Sequence, residues 1–101
     1  MATITGMYAV AFYDMADGAM ARVPEVYPRH RAYLDAFAVN GEILLIGPFP
    51  DPVQDGAMTV FTSRDAAERF RDGDPFVLEG LVARTRILDW DPIDYRSAGE
   101  S

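Results

Sequence analysis

The sequence predicts an α+β domain with elements in the order βαββαβ, on three observations. β-rich stretches and stretches of helical periodicity alternate in that order along 101 residues, a length that suits one domain. Hydrophobic residues make up 50% of the chain and aromatic residues 12%, which excludes a disordered polymer. Two of the predicted strands are apolar on both faces, which bears on what must cover the sheet.

Met7 to Tyr13 is β-rich and ends at Asp14, so it reads as the first strand. A loop follows, with its turn near Asp17-Gly18. From about Pro24 to Asn40 the chain reads as a helix closed by Gly41, because His30, Tyr33, Leu34 and Phe37 recur at i, i+3, i+4 and i+7. Pro24 and Pro28 offer no N–H, so they suit only the first turn or a kinked helix. Glu42 to Ile46 is the second strand, stopped by Gly47-Pro48 and the loop PFPDPVQDG. A hairpin-like turn at Asp55-Gly56 leads into the third strand, Ala57 to Thr62. Ser63 caps a helix that ends at Gly73, with Asp65 near its positive end. Asp74-Pro75 starts a one-turn helix that stops at Gly80, since Asp is a good N-cap and Pro is tolerated at N1. Leu81 to Trp90 is the last strand.

This order is the split βαβ pattern of a ferredoxin-like antiparallel sheet with both helices on one face. Residues 1–95 form the single domain, and a flexible polar tail is expected over 96–101. Ile43 to Ile46 is apolar throughout, and Met7 to Tyr13 offers apolar groups to both sides. Two helices cannot cover both faces, so a homodimer with sheets packed face to face is expected.

Composition narrows the function. Without cysteine, the chain has no disulfide framework, thiolate metal site or cysteine nucleophile. Sixteen acidic residues against nine basic ones give a net charge of −7, which disfavours nucleic acid and acidic lipid. All nine bases are arginine, so Schiff-base and P-loop lysine chemistry are excluded. No apolar run is long enough to span a bilayer and no signal-peptide layout is visible, so a cytoplasmic location is expected. Neither metal nor cofactor is expected, since one histidine and no paired Cys/His spacing offer no site.

The chemistry-bearing candidates are few. His30, the only histidine, lies on the apolar stripe of the first helix. It reads either as a packed core residue or as a general acid/base, and the second role needs a carboxylate to orient the ring. Asp74 is the best partner on chemical grounds and also the N-cap of the next helix; one oxygen can cap while the other receives a ring N–H. Asp51, Asp55 and Asp72 read as solvated loop residues. Glycine at Gly47-Pro48 allows a ligand close to the backbone. Arg84 and Arg86 share one strand face, where pairing with surface acids is expected over binding an anionic substrate. Trp90 reads as a sheet-end aromatic, and Met15 and Met20 as packing residues.

Taken together, Arg29-His30-Arg31-Ala32-Tyr33-Leu34, Gly41 with Ile43-Leu44-Leu45, Gly47-Pro48, Phe61, Asp74-Pro75-Phe76 and Trp90 resemble the YciI-like (YCII-related) family over about Met7 to Trp90. The resemblance implies a ferredoxin-like dimeric α+β barrel, with His30 and Asp74 at the positions of that family's proposed active-site pair. Related barrels include lactone isomerases, small monooxygenases and a dehydrochlorinase of a chlorinated aromatic. Pro24 and Pro28 depart from the pattern and suggest a helix that starts late. The resulting expectation is a small cofactor-free enzyme of isomerase or lyase type. His30 is its acid/base, Asp74 orients the ring, and Tyr33, Phe76, Gly47 and Pro48 hold a small, partly apolar substrate. The alternative is a non-catalytic dimeric domain that binds a small ligand or supports an assembly. Haem or oxygen chemistry would rest on fold analogy alone.

Overall fold

The structure, a computed structural model, describes residues 7–98. It contains β1 (Tyr8–Met15), a 3₁₀ turn (Ala19–Ala21), α1 (Val23–Ala38), β2 (Ile43–Pro48), α2 (Pro52–Asp55), β3 (Ala57–Phe61), α3 (Arg64–Gly73), α4 (Pro75–Leu78), β4 (Val82–Trp90) and α5 (Tyr95–Ala98). The strands lie in the order β2-β3-β1-β4, each antiparallel to its neighbour. This is the ferredoxin-like arrangement expected from the element order, with the first strand in the middle of the sheet. Of the expected tail, residues 99–101 lie outside the described residues.

Three local features differ from the sequence reading. The loop PFPDPVQDG contains a one-turn helix, α2, because Asp51 accepts the N–H of Gln54 and Pro52 sits at its first position. The Asp-Pro signal read at Asp74-Pro75 works a second time here. β2 continues through Gly47-Pro48, which pair with Met58 and Ala57; a proline is tolerated at the end of an edge strand. Finally, α1 does not start late. It begins at Val23, holds Pro24 in its first turn and runs through Pro28. The one main-chain bond that Pro28 cannot make is outweighed by the packing of the buried Val26 and His30 face.

Cross-strand registry divides the sheet into two faces. On one face the rows Ala9–Phe61–Asp89 and Ala11–Thr59–Ile87 lie beneath the helices. Ala9 and Ala11 are small, so Phe61, Phe70, Ala66 and Ala67 pack directly on β1, ringed by Tyr33, Leu34, Phe37, Ile43 and Ile87. Each fully buried phenylalanine stabilises the fold by roughly 1.5–3 kcal/mol. A second cluster of Ala19, Val26 and Leu81, with Met15, Ala16, Val23 and Phe76 against it, closes the end where α1 meets α4. Gly56, at φ 74°, is required there: a Cβ would collide with the main-chain carbonyl of Tyr13.

The other face carries Tyr8, Val10 and Phe12 of β1, Val60 and Met58 of β3, Leu45 of β2, and Leu88 and Trp90 of β4. Leu45 is 71% exposed, Leu88 47% and Trp90 44%. Pro92, Ile93 and Asp94, leading into α5, and Arg96 within it flank part of this face beside Tyr8, Leu45, Val60 and Trp90. No helix among the described residues is long and apolar enough to cross a membrane.

Candidate active site

The site is built around Asp74, which joins α3 to α4 in extended conformation and is fully buried. A carboxylate removed from water is tolerated only when its lone pairs are occupied. Here three donors occupy them. Oδ1 lies 2.7 Å from Nδ1 of His30 and accepts the Phe76 backbone N–H at 3.0 Å; Oδ2 accepts the Tyr13 hydroxyl at 3.0 Å. The helix-capping role and the ring contact therefore converge on one oxygen instead of dividing between the two. The second oxygen belongs to Tyr13.

His30 reaches Asp74 because α1 is fastened to α4. Arg22 donates to the Glu79 carbonyl at 2.9 Å and Arg29 to the Glu79 carboxylate at 3.1 Å. The imidazole stacks on Phe76, with centroids 4.0 Å apart and planes 9° from parallel, and Tyr27 leans toward it at 5.9 Å. With the carboxylate as acceptor, Nδ1 is the protonated nitrogen of the neutral ring, and in that form Nε2 keeps its lone pair. Among the described residues no buried polar side-chain atom lacks a partner, and Nε2 bonds to none of them. Nε2 therefore retains some contact with solvent, although the residue as a whole is only 8% exposed.

Tyr13 is the member that the sequence reading missed. Burial first, then the charge of Asp74 and the bond to it, push its phenol well above the ordinary value of 10.0. It is a neutral donor at every physiological pH. A signal for it did exist: Tyr13 has the same strand parity as Ala9 and Ala11, so it carries a hydroxyl into the layer that those alanines line.

Of the expected substrate residues, Phe76 stacks on His30 and gives its backbone N–H to Asp74. The Tyr33 hydroxyl donates to the Phe70 carbonyl at 3.0 Å and the Arg69 carbonyl at 3.2 Å, and its ring packs on Phe70. Burial, followed by the charge of Asp74, raises its pKa as well. Pro48 shares a sheet row with Ala57 and Tyr13, which places it about 10 Å from Tyr13 at the usual strand spacing. Gly47 pairs with Met58 in the adjoining row. Arg84 and Arg86 lie on the open face, where Arg84 pairs with Asp14 at 3.2 Å and Arg86 sits over the Phe12 ring at 4.9 Å. Trp90 is on that face too, lining a concavity of about 380 Å³ with Tyr8, Leu45, Val60 and Ile93. A smaller one of about 170 Å³ lies between Met15, Gly18, Met20 and Val53. His30 and Asp74 line neither. Among the described residues no group of three or more His, Cys, Asp or Glu is placed to hold a metal ion.

Three solved structures share this fold. The 5-chloro-2-hydroxyhydroquinone dehydrochlorinase of Burkholderia phenoliruptrix, solved with 2,5-dihydroxybenzoquinone, superposes with a TM-score of 0.67 at 24% identity, over 84% of this chain and 94% of that one. Protein Atu4242 of Agrobacterium tumefaciens gives 0.55 at 16% identity, over 88% and 95%. Protein PA3566 of Pseudomonas aeruginosa gives 0.52 at 17% identity, over 92% and 100%. No curated protein matches the sequence at a significant level. The YCII-related domain model matches residues 7–91, which span α1 to α4, the whole sheet and every residue of the Tyr13–Asp74–His30 cluster. The chain is thus a member of the YCII-related family.

Proposed function

We propose that this protein is a small-molecule enzyme in which His30 Nε2 is the general base and acid, oriented by Asp74 through Nδ1, and that it needs no cofactor. The observation that carries this reading is a buried His–carboxylate pair whose outer nitrogen has no protein partner and is not sealed from solvent. Such an arrangement fixes the tautomer and leaves the lone pair directed at an incoming proton. Proton transfer by a positioned group contributes ~10²–10⁴-fold to a rate.

The chemistry is elimination or isomerisation beside a carbonyl or phenol. Nε2 takes a proton from a C–H or O–H bond, and the electron pair left behind forms a new π bond. In an elimination, the leaving group departs with its own bonding pair, and the imidazolium releases its proton to solvent. In an isomerisation, the same proton returns to another carbon. Phe76 and Tyr27 beside the ring offer an apolar wall to a flat substrate. The dehydrochlorinase among the structural neighbours is solved with a flat quinone ring and removes hydrogen chloride from a chlorinated hydroxyhydroquinone, which supports the lyase form. The exposed apolar face of the sheet is the proposed homodimer interface.

Chloride release from 5-chloro-2-hydroxyhydroquinone, and turnover of a panel of small halogenated phenols and unsaturated lactones, tests the proposal. Turnover that is lost in His30→Gln, with the fold retained, is the expected result. Equal turnover by His30→Gln and the parent overturns it. The small opening at His30 favours a second reading, a non-catalytic binding domain. That reading predicts no turnover of any compound and unchanged ligand binding in His30→Gln.

A further inference from the structure

We propose that Tyr13 is a positioning residue that sets the basicity of His30 through Asp74. The inference rests on the reading of His30 as the acid/base and deepens it. Three buried groups stand in series: the Tyr13 hydroxyl donates to Asp74 Oδ2 at 3.0 Å, and Asp74 Oδ1 faces His30 Nδ1 at 2.7 Å. Tyr13 and Asp74 are 61 residues apart, and Tyr13 touches Asp74 on the oxygen that His30 does not use. A hydrogen bond to one carboxylate oxygen draws charge from the other, and the low dielectric of a buried site magnifies the effect. The Tyr13 donor thereby weakens the hold of Asp74 on the imidazolium and keeps Nε2 a weaker base than an unassisted carboxylate would make it. It also fixes the carboxylate plane so that Oδ1 meets the ring.

The groups around this relay are few. From α3, Arg71 acts on Tyr13 by its charge, in opposition to Asp74. From α1, Tyr33 lies near Tyr13 and Asp74 but hydrogen-bonds to neither side chain, and Tyr27 adjoins the His30 ring. From α4, Phe76 brings a backbone N–H and no charge, while Glu79 is held by Arg22 and Arg29. None of these supplies a second side-chain donor to Oδ2.

Because His30 is the only histidine, its ring proton signals in the intact protein give a titration curve without assignment by mutation. Tyr13→Phe deletes the donor and should move the midpoint upward by roughly 0.5–1 pH unit. A fluorotyrosine placed at position 13 is a stronger donor of nearly the same size and should move the midpoint downward. Tyr33→Phe is the control: it deletes a phenol from the same layer, but one bonded to main-chain carbonyls, and should leave the midpoint in place. Opposite shifts from the two changes at position 13 establish the coupling. A Tyr13→Phe midpoint no different from that of Tyr33→Phe, or shifts of the same sign from Phe and fluorotyrosine, overturn it. The titration is independent of turnover, so loss of the enzyme reading and loss of this coupling are told apart.

Discussion

β1 presents two kinds of polar chemistry on its two faces. Toward the helices, Tyr13 meets a fully buried carboxylate that accepts three hydrogen bonds. Toward the open side, the adjacent Asp14 meets Arg84 across the sheet at 3.2 Å, with side chains 46% and 66% exposed. The contact distances are alike, and the surroundings decide the energies. Water screens the Asp14–Arg84 pair, so its net contribution is about 0–1 kcal/mol. Asp74 has no water to fall back on, so each of its donors matters. The open face differs in another respect as well: Leu45, Leu88 and Trp90 there remain largely exposed, whereas the helix-side apolar groups pack into buried clusters.

The largest effect should come from Asp74→Ala. Capping alone would be worth about 0.5–2 kcal/mol. The structure adds the stranded Tyr13 hydroxyl and His30 Nδ1, so chemical denaturation should show a loss of about 3–5 kcal/mol. A loss no greater than that of a simple cap would mean that the buried cluster contributes little. Next, Leu88→Glu on the open face should convert the proposed dimer to a monomer in analytical ultracentrifugation and lower stability by about 1–2 kcal/mol at fixed concentration. A parent protein already monomeric would remove the face-to-face dimer from the account.

Tyr13→Phe should cost about 1–1.5 kcal/mol at neutral pH. It should also change the pH dependence of stability. The folded-state phenol titrates above its ordinary 10.0, so as pH rises past 10 the unfolded chain gives up that proton first. This contribution is complete below pH 10 and drains away above it. Denaturation at stepwise pH should therefore show a steeper alkaline decline in the parent than in Tyr13→Phe; identical slopes would contradict the burial argument. The smallest effect belongs to Arg84→Ala, within about 0.5 kcal/mol of the parent. A larger loss would erase the contrast between the two faces.

Much of the fold was legible because local signals agreed with one another. Ser63 and Asp74 cap the helices that their chemistry suggests, accepting from Ala66 and Phe76. The stripe through Tyr33, Leu34 and Phe37 packs as its spacing implies. α2 was missed because proline-rich loops read as irregular even where Asp51-Pro52 repeats a known cap. The start of α1 was placed in doubt because an internal proline weakens a helix locally, and nothing local reveals the tertiary packing that compensates for it. In the site, His30 and Asp74 were legible from residue type and family resemblance. Tyr33, expected beside the substrate, has its hydroxyl bonded to main-chain carbonyls of α3. For Tyr13, strand parity gives the face but not the partner, which lies 61 residues away.

The central claim is that Asp74 holds the neutral His30 ring with its proton on Nδ1, leaving Nε2 as the working base. Nitrogen-15 NMR of the uniformly labelled protein reads this directly at the single histidine. The neutral ring should show a protonated Nδ1 and an unprotonated Nε2, with the two reverting toward a mixture in Asp74→Asn. A neutral ring protonated on Nε2 in the parent protein would contradict it.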